Sequence, residues 1–78
     1  MQDNTDILVD ARGHRCPVPT LKLRKALEQA PQGAIIRLLA DDPMARIDVP
    51  HFAGQVGATV MEVSEVESAL SFRVRKGG

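Results

Sequence analysis

A chain of 78 residues predicts one domain, 1–78, with a core so small that it has little energy to spare. Ten basic and ten acidic residues cancel and aromatics make up 3% of the chain, which speaks against a nucleic-acid surface built on charge and base stacking, so no direct nucleic-acid partner is expected. One cysteine cannot form an internal disulfide, and with His14 and His51 it offers no CxxC or HxxxH spacing, so neither a metal nor another cofactor is expected.

The opening run, Met1-Gln2-Asp3-Asn4-Thr5-Asp6, is polar. It carries no signal-peptide core, and nothing later is long and apolar enough to span a bilayer. A lone free thiol suits a reducing compartment, so the expectation is a cytoplasmic protein with no membrane partner. Residues 6–10 (DILVD) are short and β-branched and predict a first strand. Gly13 marks a turn. From Pro17 the period changes: Leu23, Ala26, Leu27 and Ala30 fall on one face of a helix, which Pro31-Gln32-Gly33 ends. Residues 34–40 (AIIRLLA) read as a buried central strand.

Asp42-Pro43 and Asp48-Val49-Pro50 both resemble a helix start, and the second predicts a helix over about 49–56, with Gly57 as its left-handed cap. A third strand is expected over 59–63, a turn over 65–68, and a fourth strand over 69–75 with Leu70, Phe72 and Val74 inward. The order is βαβαββ. Its class is α+β: a two-layer α/β sandwich, with two helices on one face of a four-stranded mixed sheet. The first two strands should be parallel and the last two an antiparallel hairpin. The order of strands in the sheet is left open.

Charge is segregated along the chain. Residues 11–27 hold Arg12, Arg15, Lys22, Arg24 and Lys25 and no acid, and this block surrounds Cys16. The run Cys16-Pro17-Val18-Pro19 places Cys16 at a helix N-cap, with Pro17 and Pro19 in the first turn, where a missing amide proton costs nothing. Val18 is then the remaining amide able to reach the sulfur. The positive end of the helix dipole, with Arg12, His14 and Arg15 nearby as candidate cations, favours thiolate over thiol. Free cysteines are more often small buried hydrophobes, but this position and these neighbours favour a reactive thiol. Gly13 places the loop by a positive φ, and Asp10 either orients Arg12 or caps the turn. Leu21 lies about 200° around the helix from Leu23. It is therefore exposed, and with Lys22 and Lys25 it forms a candidate partner-binding surface. Asp41, Asp42 and Asp48 read as helix caps, and His51 as a surface residue.

The run from Asp10 to Pro19 (DARGHRCPVP), with Leu39-Ala40-Asp41-Asp42-Pro43 and Asp48-Val49-Pro50, resembles the signature of the TusA/SirA-like sulfur carriers. The resemblance covers nearly the whole chain. It implies a sulfurtransferase in which Cys16 takes sulfane sulfur from a cysteine desulfurase or rhodanese and relays it to a downstream acceptor protein. The implied pathways are tRNA thiolation, cofactor synthesis or sulfur metabolism. Two alternatives stand beside it: a carrier that holds sulfur as a thiocarboxylate on the terminal Gly77-Gly78, and a regulatory interaction module whose cysteine is structural. The first needs a β-grasp fold, which opens with a hairpin, whereas here a strand leads into a helix.

Overall fold

The structure, a computed structural model, describes residues 6–15 and 17–77. The elements are β1 (Ile7–Asp10), α1 (Val18–Gln29), β2 (Ile35–Ala40), α2 (Ala45–Gln55), β3 (Thr59–Val66) and β4 (Ala69–Arg75). This is the expected βαβαββ order. The sheet runs β1-β2-β4-β3. β1 and β2 are parallel, and β4 lies antiparallel to both β2 and β3.

Period-2 alternation selects the buried face of the sheet. Ile36, Leu38 and Ala40 of β2 and Leu70, Phe72 and Val74 of β4 all enter the core, with Leu38 opposite Phe72 in register. The helices meet this face with stripes at i, i+4 spacing: Leu23 and Leu27 on α1, and Ala45, Val49 and Ala53 on α2. Three of the five are fully excluded from water. The small α2 side chains let that helix lie close to the sheet.

Helix α2 starts at Ala45, four residues earlier than the proline at 50 suggested. Of the two Asp/Pro devices, the first sets the start. The Asp42 carboxylate accepts the Met44 amide (3.0 Å) and the Asp42 carbonyl accepts that of Ala45 (2.9 Å). Pro50 therefore lies inside the helix. Its side is exposed, so the hydrogen bond it withholds is missing where water can replace it. The far end is as expected: Gly57 has φ +76°, and the Ala58 amide reaches back to the Ala53 carbonyl at 2.9 Å, the bond that closes a Schellman motif.

β3 is also longer than expected, reaching Val66, and the turn shrinks to Glu67-Ser68. Both turn residues have positive φ, 51° and 69°, the type I′ geometry that Asn-Gly adopts most readily. Replacing the pair by Glu67→Asn and Ser68→Gly should stabilise the domain by about 1 kcal/mol, seen as a higher urea midpoint; a lower midpoint would mean that these side chains hold the turn.

The two parallel strands end on the same side, so the N-termini of α1 and α2 arrive there together. The end of β4 and Lys76 lie at the opposite end of the sheet. The Lys76 amide donates to Ala34 (2.9 Å), Gly33 donates to the Lys76 carbonyl (3.1 Å), and the Lys76 ammonium reaches the Ala30 carbonyl (2.6 Å).

Candidate functional site

The carboxyl ends of β1 and β2 hold the segment between β1 and α1. Ala11 is fully buried, and its amide donates to the Leu39 carbonyl at 2.8 Å, which carries the parallel ladder one step past β1. Two carboxylates then fix the turn. Asp10 accepts the Arg12 amide (3.0 Å) and grips the Arg12 guanidinium through Nε (2.9 Å) and Nη2 (2.8 Å). Asp41, from the end of β2, accepts the Gly13 amide with both oxygens at 3.0 Å. Gly13 has φ +84°, which a residue with a Cβ adopts only with strain. The His14 amide folds back on the Ala11 carbonyl at 3.3 Å.

Cys16 lies outside the described residues, so the site is defined from its two flanks. On the far flank Pro17, not Cys16, occupies the N-cap, with Val18 at the first helical position and Pro19 buried at the second. The Val18 amide donates to the Arg15 carbonyl at 2.9 Å. This corrects the expectation that Val18 aims its N–H at the sulfur. A turn closes ahead of the helix and takes that donor, and the helix begins one residue later. The Pro17 carbonyl accepts both the Leu21 amide (3.0 Å) and the Thr20 hydroxyl (2.8 Å), so the first turn is well anchored.

The charges around the loop differ in role. Arg12 and Asp10 form a half-exposed ion pair, worth more as an orienting device than as stability. The Arg12 bonds hold the Asp10 carboxyl down from 3.8 to about 2, and Asp10 in turn, with weaker help from Glu67 and Asp41, strengthens the Arg12 charge. Arg15, Lys22 and Lys25 are exposed, and among the described residues none makes a salt bridge. Leu21 is 55% exposed, as its helix angle required, and Met44 (50%) and Ile47 (65%) add apolar surface at the start of α2. Gly13, His14 and Arg15 face Asp41, Pro43 and Met44 across an open depression of about 500 Å³.

Sequence reasoning missed Asp41 as a loop anchor, because Asp before Asp-Pro reads as a cap and its partner is 28 positions away. Met44 and Ile47 were missed because no strong helical period marks the start of α2.

The Asp10 pairing has a testable consequence. A carboxyl depressed in the folded state contributes stability above its unfolded value of 3.8, and that contribution is lost as pH falls through about 2. Below that range Asp10 releases Arg12 and the turn loosens. In an NMR titration the Arg12 amide and side-chain Nε signals should shift with a midpoint near 2, and Asp10→Asn should remove the transition. A midpoint at the ordinary value would show that the pair does not form in solution.

By fold, and by where the sequence puts its only thiol, this is a two-layer α/β sandwich with a single cysteine between its first strand and a proline-led helix. The chain belongs to the TusA family of sulfurtransferases, whose model matches residues 7–76. It is 39% identical over 62 residues to an Archaeoglobus fulgidus protein described as a candidate sulfur carrier, covering 80% of each chain. It is 29% identical over 76 residues to the sulfur carrier protein TusA of Pseudomonas aeruginosa, covering 97% of this chain and 96% of that one. The crystal structure of a SirA-like protein from Desulfitobacterium hafniense superimposes with a TM-score of 0.80 at 27% identity, over 92% of this chain and 99% of that one. Among the described residues no helix is long and apolar enough to cross a membrane.

Proposed function

We propose that this protein is a sulfur carrier that holds sulfane sulfur as a persulfide on Cys16 and relays it between partner proteins in the cytoplasm. The observation that carries the reading is that the only cysteine in the chain falls in a loop whose described flanks are both anchored, by Asp10 and Asp41 before it and by the Arg15 and Pro17 carbonyls around the helix start. The Cys16 thiolate attacks the terminal sulfur of a donor persulfide, supplied by a cysteine desulfurase or a rhodanese. The donor cysteine leaves as its thiolate, and Cys16 becomes a persulfide. An acceptor thiolate then attacks that terminal sulfur, and Cys16 leaves in turn. Each step forms one S–S bond and breaks another, so no external oxidant or reductant is needed. With no second cysteine, the persulfide cannot discharge as an internal disulfide. Delivery to tRNA thiolation, cofactor synthesis or sulfur metabolism follows from the acceptor, not from this chain.

The structure gives no support to a thiocarboxylate carrier. The fold is not a β-grasp, and Lys76 is stitched to the loop before β2. A Cβ placed on Gly77 would collide with the Gly57 carbonyl, so the backbone there is packed, not free. Alkylation with iodoacetamide before incubation with desulfurase and cysteine separates the readings. Loss of sulfur loading is expected. With ATP and an adenylating enzyme added to activate the C-terminal carboxylate, loading that survives alkylation would transfer the role to the C-terminal glycines, and no loading of untreated protein would leave a regulatory module.

Exposed Arg15 and Lys22 beside the loop should attract an acidic partner surface and speed encounter, an effect screened beyond about 8–10 Å at physiological salt. Arg15→Glu with Lys22→Glu should slow sulfur transfer from a loaded desulfurase at low salt, and slow it less as salt is added. Equal rates at low salt would make these charges a solvated helix face only.

A further inference from the structure

The two edges of the sheet are guarded very differently. β3 carries a register shift at Met61 and presents Glu62 and Glu65, with Glu67 in the turn beyond. A bulge and like charges are the usual means of stopping a second strand from pairing. β1 has neither. Its residues Ile7, Leu8 and Val9 are apolar, it pairs with no neighbour on its outer side among the described residues, and Leu8 is 62% exposed. Among the described residues its guard is its shortness, four residues.

Beside that edge, on the helix face, runs a groove of about 490 Å³ between β1 and α1. Ile7, Val9 and Ala26 give it an apolar floor, and Lys22 and Lys25 stand along its α1 wall. Both lysines are exposed and neither has a carboxylate partner among the described residues. The single acid lining the groove, Asp10, is already held by Arg12. The site is therefore an open strand edge, an apolar floor and an uncompensated positive wall, and its far end runs into the loop that bears Cys16.

We propose that β1 is a docking edge for an extended, acidic segment of a sulfur-exchanging partner. The segment adds to the sheet as a fifth strand and sets its carboxylates against Lys22 and Lys25. Main-chain bonds supply the grip and alternate side chains the selectivity. A segment lying along β1 has one end at Asp10, six positions before Cys16, so the same contact that holds it also delivers its flanking residues to the thiol. Charge argues against a second copy of this chain in the same place, because two β1 edges face to face bring four lysines together. The inference rests on the relay reading for the identity of the partner; the edge, floor and charge stand without it.

The test is an NMR titration of the intact protein with two synthetic probes about six residues long, one alternating Glu and Val, the other alternating Lys and Val. The Glu–Val peptide should shift the backbone amides of Ile7–Asp10 together with those of Lys22 and Lys25, and the Lys–Val peptide should leave them in place. Lys22→Glu with Lys25→Glu should reverse this preference. Equal shifts from both peptides, shifts confined to β3, or no shift at millimolar peptide would overturn the proposal. Concentration-dependent shifts of β1 without peptide would do so as well, since the occupant would then be a second copy. Binding here is read without any sulfur present. A protein that binds the peptide yet fails to load sulfur counts against the relay, and one that loads sulfur but ignores the peptide counts against the docking edge.

Discussion

A Cys16→Ala variant is expected to take up no sulfur from a cysteine desulfurase and cysteine, while remaining folded. The loss should be complete because no second thiol exists in the chain to substitute, and a methyl group neither attacks a persulfide nor carries one. The fold should survive because helix α1 takes its N-cap from Pro17 and uses no side-chain cap. The loop's anchors are the Asp10 and Asp41 carboxylates and the Arg15 and Pro17 carbonyls. A change in the urea midpoint equivalent to less than about 1 kcal/mol is expected. Residual loading at the wild-type level would break the proposal, and an unfolded variant would give Cys16 a structural part that these anchors do not require.

The second large effect concerns stability and uses two leucines two positions apart. Leu23 is fully buried in the core under α1, whereas Leu21 is 55% exposed. Leu23→Ala removes packed methyl groups and leaves a cavity, which costs about 2–5 kcal/mol. A domain of this length holds roughly 4–12 kcal/mol in all, so the variant should lose much of its stability, and each kcal/mol lowers the melting temperature by about 4–8 °C. Leu21→Ala should stay within about 0.5 kcal/mol of wild type. It should instead slow sulfur exchange with a partner, since Leu21 is an exposed apolar side chain in the first turn of α1, directly after the loop. Urea melts of both variants, with loading rates taken well below their transitions, separate core from contact surface. Equal destabilisation by the two changes would mean that the helix face is misassigned.

The parts of this molecule that can be read from the chain are those governed by local chemistry. Leu23, Leu27 and Ala30 announce the buried face of α1 by spacing alone. β4 shows its alternation with the bounds it has in the structure, and Gly13 and Gly57 mark two of the left-handed positions. What fails to show depends on competition or distance. Asp42 and Asp48 offer rival starts for α2, and only burial of Ala45 against the sheet decides between them. Glu65 and Val66 look like turn residues because β3 is an edge strand with few buried positions, so no hydrophobic pattern carries it to its end. The strand order needs the pairing of Leu38 with Phe72, and the anchoring of Gly13 needs Asp41; neither pair leaves a local trace. At the site, the Asp10–Arg12 pair was within reach of sequence reasoning, being two positions apart. The turn that takes the Val18 amide was not, because the spacing of the two prolines fits a helix start at either residue.

The most direct measurement is the mass of the intact protein after incubation with a cysteine desulfurase and cysteine, followed by peptide mapping under non-reducing conditions. A persulfide adds one sulfur, about 32 Da, removable by a thiol reductant. The mass should increase by that amount and map to the peptide that contains Cys16. A thiocarboxylate replaces oxygen by sulfur, about 16 Da, once ATP and an adenylating enzyme have activated the carboxylate, and it survives thiol reduction; that gain on the C-terminal peptide in a parallel incubation with those components and no gain at Cys16, or no gain at all, would contradict the assignment of sulfur carriage to Cys16.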